Sequence, residues 1–156
     1  MGEASVPHVV LRTFSKAYGL AGLRVGYAVC SDGEIARVLA AAKTPFNVNG
    51  AAQVAAIAAL ADRAWMEASV ARLRGERERL RSRLAELGYR IAPSQTNFLF
   101  LDCGGDSAEL ANALLADGII VKAWREPGYE RYVRVTVGTA EDNDRLVASL
   151  TRQSRA

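Results

Sequence analysis

Histidine and lysine are scarce in this 156-residue sequence, which holds one histidine, His8, and three lysines against 17 arginines. Any Ser-His or Cys-His dyad would have to draw on His8, among the first few residues where chains are poorly tied down, so it is expected on the surface. Cysteine is just as sparse. Cys30 and Cys103 lie far apart, in neither a C-x-x-C nor a His-rich setting, which argues for two buried reduced thiols and against a metal centre or redox pair. No run of about 18 apolar residues occurs, as a spanning helix would need. The start, "MGEASVPHVV", lacks the basic stretch and long apolar stretch of an export signal. These absences predict a cytoplasmic protein with no metal and no membrane partner.

Half the residues are apolar and 24% are charged, so the chain is of the ordinary globular class and long enough for a substantial core. The formal charge of +3 is modest. Arginine is concentrated between Arg72 and Arg83, interleaved with Glu76 and Glu78. On a helix Glu78 can pair with Arg81 or Arg83, so a solvated face accounts for the charge and no nucleic-acid partner is expected.

Along the chain, "HVVLRTF" and "RVGYAVC" have the β-branched character of short buried strands, joined by a glycine-rich connection. "SDGEIARVLAAAK" follows as a helix with Ser31 or Asp32 as its cap, ended by Pro45. "GAAQVAAIAALAD" is apolar nearly all round, as in a helix buried within a larger body, whereas Val70, Leu73, Leu80, Leu84 and Leu87 form a single stripe on the next helix. That change places a boundary between residues 62 and 66. Gly88 should close the long helix. Beyond it the pattern predicts a strand at "TNFLFLD", a helix over 107–117, strands at "IIVK" and "YVRVTV", and a final helix from about Glu141. Such alternation is an α/β or α+β arrangement.

Because arginine is the default cation, the lysine in "TFSKAYGLAGLRVGY" stands out. Lys16 follows a strand end, and an amine can lose a proton where a guanidinium cannot. Gly19, Gly22 and Gly26 match neither the dinucleotide fingerprint nor the P-loop spacing. "TFSK" has the spacing of the S-x-x-K of acylating serine enzymes, but with threonine at the nucleophile position and without the companion motifs. What remains coherent is a set for a phosphate and an aldehyde: hydroxyls on Thr13 and Ser15, a planar fork on Arg24 and an amine on Lys16. That set suits pyridoxal phosphate. On these residues alone, a solvated surface lysine is the competing reading.

"LRTFSKAYGLAGLRVGYA" closely resembles the cofactor-lysine segment of the fold type I pyridoxal-phosphate aminotransferases, and within them the histidinol-phosphate aminotransferases. "PFNVN", "SQTNFLFLDCG" and "VRVTVGTAEDNDRLVASL" resemble later segments of the same family in the same order. The resemblance implies the C-terminal part of a fold type I enzyme, with residues 1–65 ending the large cofactor-binding domain and 66–156 forming a small α+β domain. It implies that Lys16 carries the cofactor covalently and then moves protons. By the same resemblance Thr13, Ser15 and Arg24 hold the cofactor phosphate, and Arg134 clamps the substrate α-carboxylate. Amino transfer from an amino acid or amino alcohol phosphate, best histidinol phosphate in histidine biosynthesis, to a 2-oxo acid such as 2-oxoglutarate is the implied reaction. A homodimer is implied as well.

Two departures from the family pattern bear on substrate and completeness. Lys122 of "GIIVKAW" lies near where an arginine is expected for the substrate phosphate; a lysine binds phosphate as a point charge without the fork. An aminotransferase for aromatic or other amino acids, or a related decarboxylase, is the alternative. The chain also begins shortly before the cofactor lysine, so the ring-stacking aromatic residue, the aspartate for the pyridine nitrogen and the glycine loop of the family have no counterpart here. A non-catalytic chain that docks on a partner supplying them is the rival expectation.

Overall fold

Capping side chains and left-handed glycines set several of the helix ends. The computed structural model describes residues 6–153, which form two compact units dividing between Ser69 and Val70, a little beyond the boundary expected from the sequence. In the first unit β1 (Val9–Thr13) pairs antiparallel with β2 (Gly26–Cys30), Val9 opposite Cys30 and Thr13 opposite Gly26. Helix α1 (Gly33–Ala42) begins at Asp32, whose carboxylate accepts from the amides of Glu34 and Ile35 at 3.0 and 2.9 Å. Asn49 does the same for α2 (Gly50–Ala61), accepting from the Ala52 amide at 2.8 Å. These contacts satisfy amides that a helix start leaves without intrahelical partners.

Little is buried in this unit. Among the described residues only Phe14, Ala52 and Ala56 are buried apolar side chains there, while Leu11, Val29, Val54 and Ile57 are all more than half exposed. The sequence predicts buried strands and a buried α2; in the structure both strands and most of α2 are open to solvent. Two strands and two helices within one unit do not provide the second layer that such apolar segments match.

Helix α3 (Arg63–Glu86) crosses the division, and its C-terminal half supplies Leu80 and Leu84 to the core of the second unit. Gly88, at φ +90°, closes it: its amide donates to the Ala85 carbonyl and the Tyr89 amide to the Leu84 carbonyl, a Schellman pairing. The four-stranded antiparallel sheet runs β3 (Arg90–Ile91), β4 (Phe98–Asp102), β6 (Tyr132–Thr136), β5 (Lys122–Ala123). Leu99, Leu101, Val133 and Val135 join Leu114 of α4 (Ser107–Ala116) and Leu146, Val147 and Leu150 of α5 (Ala140–Gln153) in one core. Period-two alternation then sends Phe98, Phe100, Tyr132 and Arg134 to the other face.

Two details differ from the sequence reading. The strand expected at "IIVK" is confined to Lys122–Ala123, because Gly118 closes α4 with a second Schellman pairing and Ile119 is spent on it, its amide donating to the Leu114 carbonyl. The short β3 was not foreseen. Cys30 and Cys103 are free thiols, half-buried rather than buried. Among the described residues no helix is long and apolar enough to cross a membrane, and no cluster of potential metal ligands occurs.

Candidate active site

The candidate residues fall into two groups, one in each unit. In the first unit the chain between β1 and β2 folds back over Phe14, which is 3% exposed. Its amide donates to the Val25 carbonyl at 3.2 Å, its carbonyl accepts from the Leu20 amide at 3.0 Å, and its ring meets Tyr18 and Tyr27 at centroid distances of 4.9 and 5.8 Å. Lys16 sits on this loop with its side chain exposed, and its carbonyl accepts from the Gly19 amide at 2.9 Å. Gly19 adopts φ +70°, which permits the turn, and its open side faces Trp65.

Two hydroxyls and a guanidinium lie within eight residues of that lysine in the sequence. The Thr13 hydroxyl donates to the Ser15 hydroxyl at 2.8 Å and accepts from the Ser15 amide at 3.0 Å, so the two side chains are held together at the end of β1. Arg24, in the left-handed region at φ 55°, donates through Nη1 to the Ala21 carbonyl at 2.8 Å. Among the described residues no carboxylate pairs with Lys16 or Arg24. These side chains offer a cationic fork and hydroxyls, donor types that a phosphate can accept from.

In the second unit Lys122 and Arg134 are direct partners across the β5–β6 ladder, on the face turned away from the core. Like charges placed opposite each other oppose pairing. Neither meets a carboxylate among the described residues; each lies over an aromatic ring instead, Lys122 Nζ at 4.8 Å from the Trp124 centroid and the Arg134 guanidinium carbon at 5.4 Å from that of Phe98. The pairing of Arg134 with Glu141 or Asp142 that a structural role would suggest is absent, since Asp142 accepts from the Thr139 hydroxyl and amide. Phe100, Trp124, Tyr129 and Tyr132 continue the face as an aromatic cluster. Phe98 and Trp124 were not singled out in the sequence; the period-two rule, applied outward from Lys122 and Arg134, carries the signal for Trp124.

Several side chains of the arginine-rich stretch are engaged within the chain. Glu78 pairs with Arg81 at 2.9 Å as anticipated, and Arg79 joins Glu76 at 2.9 Å and Asp144 at 2.6 Å. Arg77, only 5% exposed, donates to the Thr96 carbonyl at 3.1 Å.

Residues 2–150 match the family model for "Aminotransferase class I and II". A "Histidinol-phosphate aminotransferase 3" of Rhizobium meliloti is 51% identical over 142 residues, covering 91% of this chain and 38% of that protein. An "Aromatic amino acid aminotransferase" of Nocardia farcinica is 49% identical over 136 residues, covering 87% of this chain and 37% of that protein. The crystal structure of a histidinol-phosphate aminotransferase from Sinorhizobium meliloti in complex with pyridoxal-5'-phosphate superimposes with a TM-score of 0.84 at 32% identity, covering 94% of this chain and 41% of that one. The chain thus spans about two-fifths of the length of the relatives it matches, and its α/β fold is shared with them.

Proposed function

The chain belongs to the aminotransferase class I and II family, and from that premise we propose that it carries the cofactor lysine and the substrate-anion contacts of a pyridoxal-phosphate-dependent aminotransferase. In this reading residues 1–65 end the cofactor-binding domain and residues 66–156 form the small domain, in a cytoplasmic homodimer. The observation that carries it is the pair Lys122 and Arg134, two neighbouring cations that meet no carboxylate among the described residues, in a chain whose relatives at 43–51% identity include several named histidinol-phosphate aminotransferases.

The residues present fit the cofactor. Thr13, Ser15 and Arg24 would hold its phosphate, and Lys16 its carbonyl carbon. Pyridoxal phosphate, when bound, supplies that carbonyl and an electron-accepting ring. Lys16 Nζ takes the proton from the substrate carbon that bears nitrogen in one half-reaction, and returns one in the other. Arg134 orients the α-carboxylate of the 2-oxo acid through two parallel N–H contacts, which a planar fork permits. Lys122 neutralises a further anionic group, the phosphate of histidinol phosphate or the second carboxylate of 2-oxoglutarate.

A second reading, amino transfer from aromatic amino acids, is favoured by the aromatic side chains around Arg134 and by the relative of that name. Comparing kcat/KM for histidinol phosphate and for phenylalanine separates the two. The cofactor assignment is tested by mixing the chain with pyridoxal phosphate, reducing with borohydride and locating the modified peptide by mass spectrometry. A single adduct at Lys16 is expected. Labelling shared among Lys16, Lys43 and Lys122, or none in folded protein, would overturn it for this chain and favour the partner-dependent alternative.

A further inference from the structure

We infer that Trp124 is a positioning residue for the anion contact made by Lys122. The inference rests on the reading of Lys122 and Arg134 as an anion-binding pair and adds the residue that prepares one of the two charges. Lys122 is an exposed lysine on a two-residue edge strand, and a side chain of that kind would ordinarily sample many rotamers. Here its ammonium lies over the indole two residues along, on the same side of the strand.

The backbone that carries the indole is held on both sides. The Trp124 amide donates to the Tyr132 carbonyl at 2.9 Å, and its carbonyl accepts at 3.3 Å from the hydroxyl of Ser107, which is buried. Its ring meets Phe100 edge-on at 5.5 Å, and Phe100 stacks on Tyr132 at 4.9 Å with the planes 9° apart. A row of packed rings thus runs from the middle of the sheet to the lysine. The ring face attracts the cation without accepting its protons, so the charge stays available for an incoming anion. A carboxylate in the same place would neutralise it. The Arg134 guanidinium lies over Phe98 in turn, so both cations of the cross-strand pair rest on aromatic rings.

Because the ammonium is already placed, binding an anion requires less ordering of the side chain than a free lysine would. Removing the ring should therefore weaken anion binding even though no ligand contact is lost. The test uses the full 156-residue chain and inorganic phosphate at constant ionic strength. The Arg134 Nε–H signal and the amides of Lys122 and Ala123 are followed by NMR, with no cofactor present. W124L is expected to bind phosphate about twofold to tenfold more weakly, the range set by ordering one long side chain. W124F should restore most of the affinity and K122M should remove most of it. Unchanged amide shifts along β4 and β6 report an intact fold; if W124L loses them, W124M, closer in length and still non-aromatic, replaces it. Equal or tighter binding by the folded non-aromatic variant, while the wild type binds, overturns the role of Trp124 alone. Absence of a saturable shift in the wild type overturns the anion-pair reading, and this inference with it.

Discussion

Asn143 donates a hydrogen bond to Glu76 at 3.0 Å, joining α5 to α3 across 67 positions of sequence. The Asn143 side chain is 2% exposed and also brackets Gly138, accepting from its amide at 3.0 Å and donating to its carbonyl at 3.2 Å. One amide thus fixes the end of β6, the strand that carries Arg134, to two helices.

That arrangement predicts different pH behaviour for two substitutions. N143A leaves the Gly138 amide without its partner and should cost about 1–3 kcal/mol at neutral pH, only a little less in acid, where the smaller share that comes from the Asn143 bond to the Glu76 carboxylate fades. N143D keeps an acceptor for that amide but sets a second carboxylate against Glu76, so its penalty should be largest at neutral pH and shrink as acid protonates the pair. Denaturant midpoints of both variants at pH 7 and pH 4.5 check this. Parallel behaviour of the two would remove Glu76 from the explanation.

Asp102 provides an acid-sensitive clamp at the far end of β4. The Gly104 amide, together with Arg90 and Arg131, holds its carboxyl below the usual value of 3.8 against an opposing effect of burial. A carboxylate whose folded pKa is depressed contributes stability that is present above its unfolded pKa and lost as pH falls through the folded one. Thermal midpoints should therefore hold down to about pH 4 and drop below it. D102N should be less stable at pH 7 and lose less on acidification. It should not be flat, because Glu76, Asp117 and Asp142 are also held low, by hydrogen bonds from Arg79, Ser149 and Thr139 respectively. An acid limb identical to that of the wild type would mean that the clamp contributes nothing.

What could be read in the sequence was what is decided locally. Asp32 and Gly88 mark helix ends through contacts within a few residues, and the stripe of Leu80 and Leu84 finds its core by periodicity. The link from Arg79 to Asp144 spans 65 positions, and nothing in either neighbourhood announces it. Strand β5 is shorter than its apolar run because Ile119 is taken by the closure of α4, a competition settled only in three dimensions. The apolar character of β1, β2 and α2 was plain, but apolar character states what a segment would bury and not what is there to bury it against. Of the candidate site, Thr13, Ser15, Lys16 and Arg24 are close in sequence and recognisable as a set. The partnership of Lys122 with Arg134 depends on strand register, which their separation in sequence does not encode.

Gly26 offers a test of how the Lys16 loop is framed. A Cβ at this position would stand 2.6 Å from the Arg12 carbonyl oxygen, and backbone cannot swing aside as a long side chain can. At Gly22, in the same loop, nothing lies within 4 Å. G26A should therefore break the pairing of Thr13 with Gly26 and the adjoining bond from the Phe14 amide to Val25, releasing the loop that holds Ser15, Lys16 and Arg24. The change touches no donor, so its effect passes through the backbone alone. Borohydride trapping should show selective labelling at Lys16 lost in G26A and kept in G22A, with the β4 and β6 amide shifts unchanged in both. Full selective labelling in G26A would mean that the loop holds its shape without the β1–β2 pairing, and that the grouping of these donors depends on contacts around Phe14 instead.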